Sequence, residues 1–138
     1  MKFVRVFIIS FVLIGIVFPA PVVMAQKNVY QATVDSDGVQ KVNIVGGNYF
    51  FNPDYVIVRV NVPVELTVSR EPGIASHDFT IKAPEAGIDI SEPLSTDPKV
   101  IKFTPRKAGE YQFYCSKKFL FFESHKDKGM KGIIKVTE

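Results

Sequence analysis

Four side chains that can bind a soft metal ion stand out because the sequence contains so few of their kind. The chain has a single cysteine, Cys115, and two histidines, His77 and His125. Of its three methionines, two lie within the first 25 residues and the third is Met130. Thiolate, imidazole and thioether groups are ligands that soft or borderline metal ions accept. We therefore treat these four residues as a candidate metal site.

The spacing of these residues favours metal binding over a purely structural role. A lone cysteine is usually a small buried hydrophobe, and a lone methionine usually fills a gap in the core. Here, the alternating run Tyr111–Cys115 predicts a strand that ends at the cysteine, and Gly132–Val136 predicts another strand just after Met130. A loop held between two strands, with His77 supplied by a third, would assemble one thiolate, two imidazoles and one thioether. This is the ligand set of a mononuclear blue-copper site.

The first 25 residues have the organisation of a signal peptide. Lys2 and Arg5 form a basic start, and an apolar run follows from Phe7 to Phe18. This run is shorter than the ~20 residues of a membrane-spanning helix. We therefore expect cleavage after Ala25, export to the periplasm or the extracellular space, and no stable membrane insertion of the mature protein.

Composition restricts the remaining possibilities. Without Lys2 and Arg5, 15 basic residues face 14 acidic ones, and no basic stripe is interleaved with aromatic residues. Nucleic acid is therefore not an expected partner. A single cysteine cannot form an internal disulfide, so a hydrophobic core must hold the fold. The residues after Ala25 are enough for one domain.

The chain after the signal peptide is predicted to be all-β. A polar lead-in (26–39) precedes a domain that extends over 40–138. About seven short strands are predicted, at residues 41–45, 55–60, 64–69, 77–82, 99–103, 111–115 and 132–136. Residues 83–98 contain three prolines and are predicted to form a long irregular crossing. This pattern favours an antiparallel β-sandwich or Greek-key barrel, with Phe51, Phe79, Phe103 and Phe113 in its core.

Several segments together resemble the cupredoxin family of blue, type 1 copper proteins. These segments are Phe51–Pro53, Val56–Val58, Val64–Val68, Ser76–Phe79, Ala108–Cys115 and His125–Gly132. The resemblance extends over roughly 42–136. It implies a cupredoxin-like Greek-key β-sandwich that binds one copper ion through His77, Cys115, His125 and Met130.

The sequence departs from this resemblance between Cys115 and His125. Nine residues separate the two, whereas small blue-copper proteins usually have only a few. The binuclear centre of cytochrome oxidase subunit II needs a second cysteine, and Phe119 occupies that position. Two alternatives stay open: His125 ligates despite the insert, or the site is distorted and Glu123 contributes.

The apolar run Phe119–Phe122 within this insert has two interpretations. It could fold back and cap the end of the barrel, which we favour because exposed apolar residues promote aggregation. Alternatively, it forms an exposed docking patch beside the loop histidine, where blue-copper proteins usually exchange electrons.

Two functions of different classes follow from the resemblance. The first is a one-electron carrier whose partner is a redox protein, such as a c-type cytochrome or a membrane oxidase or reductase. The second is a copper-binding module for copper handling, resistance or delivery without electron transfer. A metal-free structural domain is a third possibility. An enzyme is not expected, because multicopper oxidase chemistry requires more histidines than the two present.

Overall fold

The computed structural model describes residues 27–138, so the predicted signal peptide lies outside the described residues. The described chain forms ten strands and one short 3-10 helix, Pro84–Ala86. The strands are β1 (Val29–Gln31), β2 (Gln40–Gly47), β3 (Phe50–Asn52), β4 (Tyr55–Arg59), β5 (Val64–Arg70), β6 (His77–Ala83), β7 (Ile88–Leu94), β8 (Lys99–Phe103), β9 (Gly109–Tyr114) and β10 (Lys131–Thr137). Within this part of the chain, no helix is long and apolar enough to cross a membrane.

The strands form two sheets, which confirms the predicted all-β sandwich. One sheet has the strand order β1-β4-β10-β9-β6-β7, and the other has the order β3-β2-β5-β8. The expectation that all strands are antiparallel is wrong, because β4 pairs in parallel with β1 and β10, and β2 pairs in parallel with β5. Parallel neighbours require a crossover. The chain makes one between β2 and β5 by passing through β4 in the opposite sheet.

All seven predicted strands are present, but three further strands, β1, β3 and β7, were not predicted. Residues 83–98 include β7, which pairs with β6 although it contains Pro93. A proline is tolerated there because β7 is at the edge of its sheet and that residue need not donate to a further strand. In the predicted lead-in, β1 pairs with β4.

Aromatic packing in the core positions the end of β9. Phe113 contacts Phe51 and Phe79, with ring centroids 5.3 and 5.0 Å apart. These three rings are buried, as predicted, whereas Phe103 is only half-buried against the core. Because side chains alternate along a strand, Phe113 and Cys115 face the same side, and both are fully buried. The packing of Phe113 therefore directs the thiol into the protein.

Candidate metal centre

Three of the predicted ligands meet at one end of the sandwich. His77 begins β6, Cys115 follows β9, and these antiparallel neighbours bring the two residues together. His125 lies in the loop before β10. The Cys115 Sγ atom lies 3.9 Å from Nδ1 of His77 and 3.5 Å from Nδ1 of His125, and the two nitrogens are 3.1 Å apart. All three side chains are buried.

The size of this triangle fits a metal ion. The three distances define a point in the plane of the triangle that is equidistant from the two nitrogens and the sulfur. This point lies about 2.0 Å from each atom, close to the ~2.0–2.3 Å of metal–nitrogen and metal–sulfur bonds. The donors therefore need little movement to bind an ion. A trigonal set of two imidazoles and one thiolate is the arrangement of blue-copper sites.

Met130 is adjacent to this group, whereas Glu123 is not part of it. Met130 is fully buried, its N–H donates to the His125 carbonyl (2.9 Å), and its carbonyl accepts from the Cys115 N–H (3.0 Å). Its role as a weak axial ligand stays a prediction. Glu123 is exposed, and among the described residues the clustered donors are His77, Cys115 and His125.

A backbone hydrogen bond explains how His125 reaches the cysteine across the long insert. The His125 N–H donates to the carbonyl of Lys117 at 2.9 Å. This contact closes residues 118–124 into a separate loop, so the path from thiol to imidazole runs through only two residues and one hydrogen bond. The length of the insert therefore does not set the distance between the thiol and the imidazole.

The cap interpretation of the apolar run is wrong. Phe119, Leu120, Phe121 and Phe122 are 66, 68, 98 and 62% exposed. The run lies beyond the hydrogen bond from His125 to Lys117. None of its four side chains is among those that pack against the hydrophobic core.

Asp78 supports the site, although the sequence analysis gave it no role. Its main-chain N–H points at Cys115 Sγ, 3.4 Å away. One carboxylate oxygen accepts from the Ser116 N–H (2.6 Å), and the other accepts from the Ser116 hydroxyl. A carboxylate in a strand whose other residues are mostly buried needs hydrogen-bond partners, but the sequence does not show that Ser116 supplies them. Asp78 thus fixes the backbone that carries the thiol.

Tyr49 is a second neighbour that sequence reasoning missed. Its ring packs edge-on against the His125 imidazole, with centroids 5.0 Å apart. The Lys128 ammonium lies over the Tyr49 ring, 4.6 Å from its centroid. The tyrosine therefore restricts the orientation of the imidazole.

The environment keeps both imidazoles ready to bind a metal. Burial lowers the pKa of His77, and repulsion from His125 and Arg70 lowers it further. Burial also lowers the pKa of His125, with repulsion from Lys128 as the next cause. Asp78 opposes both shifts. Neutral imidazoles, which have a free lone pair, are therefore favoured at neutral pH.

Burial shifts the pKa of the Cys115 thiol in the opposite direction. Burial raises the pKa of Cys115, while main-chain hydrogen bonds from Asp78 and Lys117 oppose that rise. A bound metal ion would remove the proton, because coordination deprotonates a thiol. The site therefore couples metal binding to the release of a proton.

Comparison with known proteins identifies the fold. No family model matches the sequence, and no curated protein matches it. The metal-binding domain of the Cu(I)-exporting P-type ATPase CopA of Streptococcus pneumoniae, solved with Cu(I), is similar in structure (TM-score 0.62, 24% identity, covering 83% of this chain and 100% of that one). Dithionite-reduced auracyanin from Roseiflexus castenholzii gives a TM-score of 0.56 at 20% identity, covering 71% of this chain and 97% of that one. The periplasmic domain of cytochrome oxidase subunit II from Bradyrhizobium japonicum gives a TM-score of 0.53 at 14% identity, covering 71% of this chain and 83% of that one. Taken with the mixed two-sheet topology, these similarities show that the chain has the cupredoxin fold.

Proposed function

We propose that the protein binds one copper ion and carries single electrons. The observation behind this proposal is the buried triangle of Cys115 Sγ and the two histidine Nδ1 atoms, with sides of 3.1 to 3.9 Å. Cys115 would supply the thiolate, His77 and His125 the equatorial nitrogens, and Met130 a weak axial contact. The neighbour solved with Cu(I) supports the choice of copper.

The preformed donor set favours electron transfer. A site that already holds its ligands near bonding positions changes little when copper alternates between Cu(I) and Cu(II). His125 lines the same surface depression as Phe119 and Phe122 of the exposed loop. An electron therefore has a short path from the site to the surface through this imidazole.

Copper handling without electron transfer is the second candidate. The observation that favours it is the similarity to the metal-binding domain of a Cu(I)-exporting ATPase. In that role the same four residues would store or deliver Cu(I). Both candidates describe a binding protein and not an enzyme.

The proposal extends to location and partners. Residues 1–25 would be removed as a signal peptide, and the domain (40–138) would act in the periplasm or the extracellular space. Its partner would be a redox protein, such as a c-type cytochrome or a membrane oxidase or reductase. The similarity to a periplasmic domain of cytochrome oxidase subunit II supports this setting.

Copper content and an optical spectrum of the mature protein test the site. We expect one copper per chain and a visible thiolate-to-copper band that Cys115→Ser abolishes. The metal-free melting temperatures of the two proteins serve as the control for folding. A Cys115→Ser protein that stays coloured and binds copper equally well would refute the assignment of the thiolate.

Reaction with a reduced c-type cytochrome separates the two candidate functions. Rapid reduction with unchanged copper content supports the electron carrier. Slow reduction together with transfer of Cu(I) to a chelator supports copper handling.

A further inference from the structure

The insert beside the metal centre ends in a preformed apolar tip. The Phe122 N–H donates to the Phe119 carbonyl (3.0 Å), and the two rings stack with centroids 6.0 Å apart. Leu120 turns the chain with a φ of 47°, in the left-handed region. As a result Leu120 and Phe121 project from the turn, and Phe121 is 98% exposed. We call residues 119–122 the Phe tip.

A second apolar side chain lies next to the Phe tip. Ile74, in the loop between β5 and β6, is fully exposed. It lines, together with Phe119 and Phe122, a depression of about 440 Å³ that His125 also borders. Two neighbouring loops thus present apolar groups at the same end of the sandwich.

The positive charge of the domain is concentrated around this end. Residues 115–131 contain five lysines and only two carboxylates, Glu123 and Asp127. One of the five, Lys117, is paired with Asp78 of β6 at 3.7 Å. The other described residues contain ten basic and twelve acidic side chains, so the loop is the cationic part of an otherwise slightly acidic molecule. Two of the lysines are held at the base of the loop, Lys126 over the Tyr114 ring (4.3 Å) and Lys128 over Tyr49 (4.6 Å).

This combination fits a lipid surface better than a protein surface. Protein interfaces are enriched in aromatic residues and arginine but depleted in lysine, and here every cation of the loop is lysine. Amphipathic helices that lie in the headgroup region of a bilayer combine Phe and Leu on one face with lysines on the other, and the Phe tip presents the same combination on a turn. The surrounding lysines would then lie at the level of anionic headgroups, which attract them.

We propose that the Phe tip and Ile74 insert into the surface of an anionic phospholipid bilayer. The protein would bind membranes peripherally and reversibly, with the end that carries the candidate metal centre facing the lipid. Electron exchange through His125 with a soluble partner would then take place in the unbound state. No spanning segment is needed for this association. It also does not depend on the proposed copper chemistry, and it is tested separately on metal-free protein.

Co-sedimentation of the mature, metal-free protein with vesicles tests the proposal. We expect binding to phosphatidylcholine vesicles that contain about 30 mol% phosphatidylglycerol, and much weaker binding without the anionic lipid. Raising the salt concentration from about 0.05 to about 0.5 M should weaken binding several-fold. Replacing Phe121 and Phe122 by Ser should lower the partition coefficient at least about tenfold.

Matched variants distinguish insertion from general attraction. Lys118→Gln with Lys126→Gln should remove most of the preference for anionic lipid. Lys107→Gln with Lys135→Gln changes the net charge equally outside the loop and should have little effect. Replacement of the exposed Val100 of β8 by Ser controls for loss of a surface hydrophobe. Equal losses in the loop and control variants would overturn the proposal.

The absence of tryptophan from the sequence allows a direct measurement of insertion. Phe121→Trp should emit at shorter wavelength when anionic vesicles are added and be quenched by brominated lipid, whereas Val100→Trp should do neither. Lack of vesicle binding by the wild type, or an unshifted Phe121→Trp emission, would overturn the proposal. Binding of the Phe tip to an acidic protein without any binding to vesicles would likewise overturn it and assign this surface to a protein partner.

Discussion

The carboxylate of Asp78 provides a sharp test of how the fold holds the thiol. The side chain is 8% exposed, and both of its oxygens accept hydrogen bonds from Ser116, the residue after the cysteine. Asp78→Ala removes both acceptors and leaves the Ser116 N–H and hydroxyl without them. Asp78→Asn keeps one carbonyl oxygen for the N–H, and the Ser116 hydroxyl can reverse its role and accept from the amide.

The two substitutions should therefore differ in cost. A hydrogen bond to a charged group contributes ~1.5–3 kcal/mol, and a neutral one ~1 kcal/mol. Because these bonds are only partly buried, we expect Asp78→Ala to lower the free energy of unfolding of metal-free protein by about 3 kcal/mol, and Asp78→Asn by about 1 kcal/mol.

Urea denaturation of the metal-free variants measures both values. The main-chain N–H of Asp78 that faces Cys115 Sγ is present in every variant, so the thiolate-to-copper band should survive in Asp78→Asn. An alanine variant as stable as the wild type would refute the role of the carboxylate. Equal losses in the two variants would instead show that the charge matters most, through the contact with Lys117 at 3.7 Å.

Three further predictions concern the site and its support. Met130→Gln should keep copper bound but lower the reduction potential, because a harder oxygen favours Cu(II); copper analysis and a redox titration measure the two effects, and loss of copper would contradict an axial role. The lowered pKa values of His77 and His125 mean that the unfolded chain binds more protons than the folded one below the ordinary value of 6.5. Metal-free protein should thus keep its full stability above that pH and lose stability as the pH falls through and below it, which urea melts at about pH 7.5 and about pH 5.5 would detect. Gly132→Ala should destabilise the fold by ~1–3 kcal/mol or more, because the added methyl group would collide with the carbonyl oxygen of Asp54 and with the Phe113 ring; an unchanged melting temperature would refute this.

The parts of the structure that follow local rules were predictable from sequence. Alternating β-branched runs gave the seven strands, and the scarcity of soft ligands selected three residues that the fold brings together. We did not predict β7, because a proline such as Pro93 argues against a strand unless the strand is known to lie at the edge of its sheet. That position is a property of the whole sheet.

The remaining errors have a common cause in contacts between distant residues. The apolar run at Phe119–Phe122 was expected to be buried, since burial is the usual fate of such residues. Its exposure follows from the hydrogen bond between His125 and Lys117, which no local pattern reveals. The support that Asp78 gives to Ser116 likewise spans 38 positions in the chain.

The hydrogen bond from His125 to Lys117 has a consequence for how this protein can be altered. Because it closes residues 118–124 outside the site, length and composition there can vary while the thiol and the imidazole keep their separation, as exposed loop tips generally tolerate insertions. The surface that this segment presents can therefore change without a change in the arrangement of the candidate metal centre. For the same reason, this segment is a suitable position to graft a foreign recognition peptide or an immobilisation tag beside that centre.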